Sequence, residues 1–240
     1  MSEDFKEAFE KTKIAGSIAA GALDEVDKII KPGISTDQID SICYEYINDH
    51  KAYSAPLFYR GFPKSCCTSA NHVVCHGIPS SKILREGDIV NVDVTALKDG
   101  WHGDTSRMFK IGNVSIKAEK LVNTTYESLM KAISIIKNGV HLGDIGSTIQ
   151  THVEAHGFSV VQDFCGHGIG KKFHKEPNVL HYGEKGTGEK VKTGMIFTIE
   201  PMINFGNYET KTLNDGWTAV TKDKSLSAQF EHTIGVTKDG

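Results

Sequence analysis

The sequence lacks the features that mark membrane-spanning, secreted and disulfide-built proteins. No apolar run approaches the roughly 20 residues needed to cross a bilayer, and Met1–Lys6 has no basic-then-apolar signal pattern. The five cysteines are an odd number and form no Cys-x-x-Cys pair. That usage is typical of a reducing compartment, not of a disulfide scaffold or a structural zinc site. We therefore expect an α+β protein of the cytosol with no membrane partner.

The sequence also has no large excess of positive or negative charge. The chain has 27 basic and 30 acidic residues, which gives a formal net charge of −3. A protein that binds DNA or RNA through phosphates usually carries a basic excess or a basic stripe, and neither is present. We expect no specific nucleic-acid partner. With 240 residues, 39% of them hydrophobic, the chain is long enough to bury a sizeable core.

Two segments about 106 residues apart resemble each other. Residues 29–41 match residues 135–147, with lysines, glycines, isoleucines and serines at equivalent places. Each copy predicts a helix with a cationic last turn, a glycine stop at Gly33 or Gly139, and a second amphipathic helix.

A later pair of segments repeats at nearly the same spacing. Residues 86–93 match residues 193–200, and both copies are β-branched segments that end in a carboxylate. Matches in the same order predict one domain over residues 1–240 with internal pseudo-two-fold symmetry. Its halves are residues 10–115 and 116–240, and the two terminal carboxylates should face each other across the pseudo-axis.

A hairpin is predicted over residues 91–109, turning near an Asp-Gly pair. With Lys98 and Asp99 at the tip, Asp93 lies directly opposite Asp104, roughly 5 Å away at Cβ. Like charges paired in this way are destabilising unless one is protonated or a cation lies between them. A solvent-exposed hairpin with two harmless aspartates is the alternative interpretation of this segment alone.

Other segments strengthen the case for a metal. Glu200 ends a strand between apolar residues, where an unpaired carboxylate would be costly. Glu231 lies in another alternating segment, and glycines flank His167 and allow close backbone approach. Four carboxylates and one imidazole form an oxygen-rich set that suits two divalent ions.

These residues and their spacing resemble the pita-bread metallopeptidases, and specifically the type I methionine aminopeptidases. The similarity covers nearly the whole chain. The segments that carry it are Val74-Cys-His-Gly-Ile-Pro, Asn91-Val-Asp-Val-Thr, Gly103-Asp-Thr, Gly166-His-Gly-Ile-Gly, Phe173-His, Thr198-Ile-Glu-Pro-Met and Gln229-Phe-Glu-His-Thr. The resemblance implies an α+β pita-bread fold, an antiparallel β-sheet covered by two pairs of helices with pseudo-two-fold symmetry.

The resemblance also implies metal ligands. Asp93 would bind one divalent ion, His167 and Glu200 the other, and Asp104 and Glu231 would bridge both. Cobalt, manganese, iron and zinc are all compatible with such a set.

Catalytic roles follow from the same resemblance. Glu200 would act as general base and then general acid, His174 would hydrogen-bond the scissile carbonyl, and His76 the amide nitrogen or the tetrahedral intermediate. His174 would also line the substrate cleft. The walls of the methionine pocket would be Tyr59, Phe62, Cys67, His76, Phe173 and Trp217.

Further implied features concern a cation and the partners. Asn71, Val73 and Ser227 would surround a monovalent cation beside the hairpin. The substrates would be the N-termini of nascent polypeptides with a small second residue. A monomer is expected, and a transient association with the ribosome is left open.

Two other functions stay open at this point. Only 25 residues separate His174 from Glu200, which leaves no room for the helical insertion of type II relatives and favours the compact bacterial form. A second hypothesis is a hydrolase of X-Pro bonds or creatine-like substrates on the same fold. A third is a binding module that keeps the fold without catalysis, although such relatives typically lose ligands and all five are present here.

Overall fold

Each half of the chain contributes one pair of helices. The computed structural model describes residues 3–240, so Met1 and Ser2, the start of the predicted domain, lie outside the described residues. The bounds of the helices are α1 (Glu3–Ile29), α2 (Thr36–Asp49), α3 (Ile116–Ser134) and α4 (Leu142–Ala155). None of the helices in this described range is long and apolar enough to cross a membrane.

The second helix of each pair begins at a capping box. Ser35 caps α2 together with Gln38, and His141 occupies the equivalent place before α4 together with Asp144. These reciprocal bonds satisfy backbone N–H groups that the first turn leaves unpaired. Gly33 and Gly139 precede the caps with φ of 97° and 93°, so the predicted glycine stops are confirmed.

An antiparallel sheet of eight strands dominates residues 3–240. Its order is β1-β4-β5-β14-β9-β7-β8, with β2 paired to β4, and the smaller sheets are β13-β10-β6 and β11-β12-β3. The strands are β1 (Tyr53–Ser54), β2 (Cys67–Ala70), β3 (Val73–Cys75), β4 (Ile89–Lys98), β5 (Trp101–Lys110), β6 (Ser159–Val160), β7 (Gly166–Gly168), β8 (Lys175–Val179), β9 (Ile196–Ile199), β10 (Met202–Asn204), β11 (Thr210–Thr212), β12 (Ala219–Thr221), β13 (Ser227–Gln229) and β14 (Glu231–Gly235).

The pseudo-two-fold symmetry is visible in the backbone hydrogen bonds. The Gly33 N–H donates to the Leu84 carbonyl at 2.8 Å, and the Gly139 N–H donates to the Val191 carbonyl at 2.8 Å. Strands β5 and β14 pair with each other in the middle of the sheet. The two halves therefore join along these strands, and the carboxylates that end the repeated segments lie on either side of them.

The β4–β5 hairpin departs from the predicted register. Its tip is the two-residue turn Asp99–Gly100, with φ of 49° and 82°, as a type I′ turn requires. Asp93 consequently pairs with Ser106, and Asp104 pairs with Thr95. The prediction that the two aspartates lie directly opposite each other was wrong. Because the error is two residues, both carboxylates still share one face of the sheet.

The apolar core lies between the helices and the other face of the sheet. Under α1 and α2 it includes Val92 and Val94, which alternate with Asp93 and are fully buried. A second cluster packs under α3 and α4 against β9 and β10. The sheet thus divides the molecule into an apolar helix side and a side that carries the carboxylates.

A close approach of α1 to β5 gives a test of this packing. A Cβ at Gly103 would overlap the backbone nitrogen of Gly16, whereas a Cβ at Gly16 meets nothing. We expect Gly103→Ala to lower the free energy of unfolding by about 1–3 kcal/mol through overpacking. Gly16→Ala, the matched control, should raise it by up to about 1 kcal/mol through helix propensity. Urea unfolding measures both, and equal stabilities of the two variants would contradict this packing.

Candidate metal centre

Neighbouring strands bring the five predicted metal ligands to one place. Asp93 is on β4, Asp104 on β5, Glu231 on β14 and His167 on β7, and Glu200 directly follows β9. The sheet order places these strands side by side. Residues separated by up to 138 positions therefore converge on one face of the sheet.

Register explains the convergence. Ser106 pairs with Asp93 on one side and with Glu231 on the other, so these three residues form one row across β4, β5 and β14. The pairing of His232 with Ile199 brings Glu200 beside the end of that row. The acids are thus side by side because of antiparallel pairing and not because of any loop.

The imidazole faces the acids at short range. His167 Nε2 lies 3.8 Å from Asp104 Oδ2 and 3.6 Å from Glu200 Oε1. One ligand atom each from Asp104, His167 and Glu231 lies within 4.8 Å of the others. The Asp93 carboxyl lies close enough to those of Asp104 and Glu231 for both to affect its pKa.

Desolvation shifts the protonation of the acids. Burial raises the pKa of Asp93 to about 7 and the pKa of Glu200 to about 8. Burial and the neighbouring carboxylates raise the pKa of Asp104 and of Glu231 well above their ordinary values. The cluster holds protons at neutral pH unless a cation compensates its charge.

The donor set fits a divalent metal. His167 Nδ1 lies 3.1 Å from the Gly168 carbonyl oxygen, an acceptor only, so it donates and leaves a lone pair on Nε2 facing the acids. Asp93 Oδ1 and Glu231 Oε1 are buried without a hydrogen-bond partner. An orienting carbonyl behind a metal-facing imidazole is the usual arrangement of a histidine ligand.

Side chains that sequence reasoning missed hold the acids in place. Thr198 Oγ1 donates to Glu200 Oε1 at 2.8 Å, and Thr95 Oγ1 donates to Asp104 Oδ1 at 2.7 Å. The Glu200 N–H donates to Nε2 of His181 at 3.1 Å, and burial lowers the pKa of His181 to about 3. Thr198 lies two residues before Glu200, so strand alternation could have revealed it. Nothing in the sequence marks the neutral, fully buried His181.

A cavity of about 370 Å³ opens beside the acids. All seven residues predicted for substrate binding line it, together with the five predicted ligands. These seven are Tyr59, Phe62, Cys67, His76, Phe173, His174 and Trp217. Other lining residues were not predicted, and they include Pro56, Arg60, Asp163, Phe164, Cys165 and Met202.

Aromatic rings build the wall of the cavity. The Phe62 and Trp217 rings meet edge-on at 5.2 Å between centroids, and Tyr59 lies 5.0 Å from Phe173. Left-handed φ values occur at Arg60 (49°) and His76 (55°). Such strain in non-glycine residues is concentrated at functional sites.

Two histidines of the cavity are neutral. Desolvation, followed by the neighbouring imidazoles of His167 and His76, lowers the pKa of His174 to about 3. Its Nδ1 lies 3.0 Å from Tyr59 Oη. Burial also lowers the pKa of His76, whose ring contacts Trp217 edge-on. Both rings therefore offer one N–H donor each at neutral pH.

Comparison with known proteins identifies the family. Metallopeptidase family M24 matches residues 10–238. The chain is 56% identical over 233 residues to the methionine aminopeptidase of Rickettsia prowazekii, an alignment that covers 97% of this chain and 90% of the relative. The chain belongs to the methionine aminopeptidases of metallopeptidase family M24. Membership of a metallopeptidase family implies binding of divalent metal.

Other relatives agree with this assignment. The methionine aminopeptidase of Escherichia coli K12 is 55% identical over 236 residues, covering 98% of this chain and 89% of the relative. The crystal structure of methionine aminopeptidase from Rickettsia prowazekii matches with a TM-score of 0.96, 55% identity and coverage of 98% and 95%. The predicted family and the predicted pita-bread fold are confirmed.

A more distant neighbour shares the fold alone. The prolidase from Pyrococcus furiosus superposes with a TM-score of 0.76 at 21% identity, covering 97% of this chain and 62% of that chain. At this identity the likeness carries no substrate preference.

The raised acid pKa values predict how stability depends on pH when metal is removed. In chelator, the folded cluster keeps protons that the unfolded chain, with ordinary acid pKa values, has lost. Stability therefore falls as pH rises from about 6.5 to about 8. Histidines with lowered pKa values act in the opposite direction, chiefly below their ordinary pKa of 6.5, so the decrease should be steepest in the upper part of this window. Thermal scans in chelator should show the decrease, and added manganese should reduce it. A melting temperature that rises over this window would contradict the prediction.

Proposed function

We propose that this methionine aminopeptidase acts on newly made polypeptides whose second residue is small, and that it uses two divalent metal ions. The observation that carries the proposal is the conjunction of the buried acid–imidazole cluster with an aromatic cavity of about 370 Å³. The high identity to methionine aminopeptidases supports the same substrate class. We take the catalytic unit to be the whole chain.

We assign the metal ligands residue by residue. Asp93 would hold one ion, His167 and Glu200 the other, and Asp104 and Glu231 both. Bound divalent ions would lower the pKa of water to near neutrality and polarise the substrate carbonyl. Oxygen ligands with one imidazole accept cobalt, manganese, iron and zinc.

Glu200 would move the proton. It would accept a proton from the attacking water and deliver it to the leaving amine as the peptide bond breaks. Its bonds support this role, because Thr198 fixes one carboxylate oxygen and His181 fixes the backbone N–H. The second oxygen, 3.4 Å from Gln229 Nε2, is less constrained.

The two cavity histidines would bind the reacting groups. If the Tyr59 hydroxyl donates to His174 Nδ1, then His174 carries its proton on Nε2 and can donate to the scissile carbonyl oxygen. This donor would strengthen its bond as negative charge develops on that oxygen. His76 would contact the amide nitrogen from the opposite wall.

The pocket walls favour an unbranched apolar side chain. Phe62 and Cys67 are buried, and Tyr59, Phe173 and Trp217 present ring faces or edges. Sulfur–aromatic contacts contribute about 0.3–1.5 kcal/mol each, which favours the methionine thioether over an aliphatic chain of equal volume.

A monovalent cation and the cellular setting complete the proposal. Ser227 Oγ is buried without a hydrogen-bond partner, and the Ser227 N–H donates to the Asn71 carbonyl at 2.8 Å. Together with Val73, which is nearby in the chain, these oxygen atoms of Asn71 and Ser227 support a monovalent cation site. We place the protein in the cytosol as a monomer that meets nascent chains there, where a transient contact with the ribosome would bring it to them.

Peptide hydrolysis tests the proposed reaction. Purified protein should release methionine from Met-Gly-Met-Met and fail on the leucine analogue, and chelator should abolish the activity until divalent metal is restored. Because the pocket is built for one side chain, the loss with leucine should exceed about tenfold in kcat/KM. Chelator-resistant cleavage would refute the metal mechanism. A strong preference for proline in the second position would favour the X-Pro hydrolases instead.

Substitution of the proton carrier gives a sharper test. Glu200→Gln keeps the side-chain volume but cannot accept a proton, so kcat should fall by at least about 100-fold. Glu209→Gln, at an exposed ion pair with Lys222, is the matched control and should keep full activity. Metal content and melting temperature are measured in parallel to separate proton transfer from metal loss. Full turnover by Glu200→Gln would overturn this role.

A further inference from the structure

The second helix pair carries another cluster of potential metal ligands, outside the cavity. Glu127 is on α3, His152 is on α4, and His156 directly follows α4. One ligand atom from each lies within 4.8 Å of the others. None of the three lines the cavity described above, so the proposed peptidase reaction does not use them.

His156 is oriented as a ligand would be. Its Nδ1 lies 2.8 Å from the His152 carbonyl oxygen, so Nδ1 donates and Nε2 keeps its lone pair. A backbone carbonyl behind the ring is the usual way to fix a metal-binding imidazole. The His156 and His152 rings lie 4.5 Å apart between centroids, as their spacing of four residues at the end of one helix allows.

His152 also has an atom without a satisfactory partner. Its Nε2 is shielded from solvent and makes no hydrogen bond of acceptable geometry, although Glu127 Oε2 lies 3.2 Å away. Tetrahedral zinc with bonds of about 2.0–2.1 Å places its ligand atoms about 3.3 Å apart. The separation between His152 and Glu127 matches one edge of such a tetrahedron.

The first half of the molecule supplies an internal comparison. At the offset of the repeat, Gly21, Tyr46 and His50 occupy the places of the cluster residues. His50 Nδ1 contacts the Tyr46 carbonyl oxygen at 2.8 Å, and the Tyr46 and His50 rings lie 4.2 Å apart. The first half therefore has a ring on α2 and a capping histidine after it, but neither a carboxylate nor a second imidazole at these places. The second half has both.

We propose that Glu127, His152 and His156 bind one divalent transition-metal ion of the zinc class. Two imidazoles and a carboxylate are a donor set that zinc accepts, with water completing the coordination. The carboxyl end of α4 favours a cation through the helix dipole. The positive charge of Lys131 lowers the pKa of His152. The same charge would repel a bound cation and weaken the site.

Occupancy of this site has a structural consequence. Glu127 belongs to α3 and the histidines to α4, so the ion cross-links the two helices that cover the second half of the sheet. A ligand that binds only the folded chain raises its stability by mass action. Zinc should therefore stabilise the protein beyond any effect of the metals at the cavity.

Zinc stoichiometry tests the proposal directly. Metal-free protein is dialysed against zinc, and the ions bound per chain are counted for wild type, His156→Asn and Glu127→Gln. Asparagine retains an amide donor for the carbonyl that His156 contacts. His50→Asn makes the same change at the equivalent cap of the first half and is the matched control. We expect one zinc ion fewer in the two cluster variants and an unchanged count in His50→Asn.

A difference between variants does not depend on how many ions the cavity binds, so failure of the peptidase proposal leaves this test intact. Thermal scans give a second readout: zinc should raise the melting temperature of wild type more than that of Glu127→Gln, and the two should melt alike in chelator. Glu127 is half-exposed, so its variant remains informative even if His156→Asn fails to fold. If wild type and Glu127→Gln bound equal numbers of zinc ions and zinc raised their melting temperatures equally, the cluster would be only an ion pair between Glu127 and His152. That result would overturn the site.

Discussion

Mutual repulsion among buried carboxylates is the constraint on which the site depends. Asp93, Asp104, Glu200 and Glu231 lie on one face of one sheet, where desolvation raises all four pKa values and the neighbouring carboxylates raise those of Asp104, Glu200 and Glu231 further. A cluster of this kind stays folded in one of two ways, by keeping protons or by binding cations. The His167 lone pair, which faces the carboxylates, suits the second way, because a metal ion would accept it and compensate the acids together. In the proposed centre, folding and metal binding would therefore be linked.

The duplication explains how such an unfavourable arrangement is built. Each half supplies a helix pair and strands, and the halves join along β5 and β14. The central strands bring the acids and the imidazole to the cavity side, and β4 brings valines such as Val92 and Val94 to the helix side. Stability comes from the two apolar clusters under the helices, which offset the cost of the polar face. The symmetry is not complete, since α1 has 27 residues and α3 has 19, and equivalent positions such as Tyr46 and His152 carry different residues.

The helices could be predicted from the sequence more accurately than the strand register and the contacts around the acids. Capping residues, glycine stops and the repeat spacing specify the helices locally, so their prediction needed no tertiary information. The hairpin register was wrong by two residues because the prediction put Lys98 into the turn, whereas the Asp99–Gly100 pair forms it alone. The prediction that the two aspartates share one face of the sheet was still correct, because a register shift of two residues keeps each side chain on the same face. His181 could not be predicted, because its contact with Glu200 depends on loop packing that no local pattern encodes.

The proposed metal ligands and most of the proposed pocket walls lie in different kinds of structure. The acids lie on or directly after paired strands, so the sheet sets their positions. Tyr59, Phe62 and Trp217 lie outside the strands, in connections that can change without disturbing the sheet. The prolidase from Pyrococcus furiosus, at 21% identity and a TM-score of 0.76 over 97% of this chain, shares the fold alone. Substitutions in these connections would therefore change the proposed pocket while leaving in place the paired strands that position the acids.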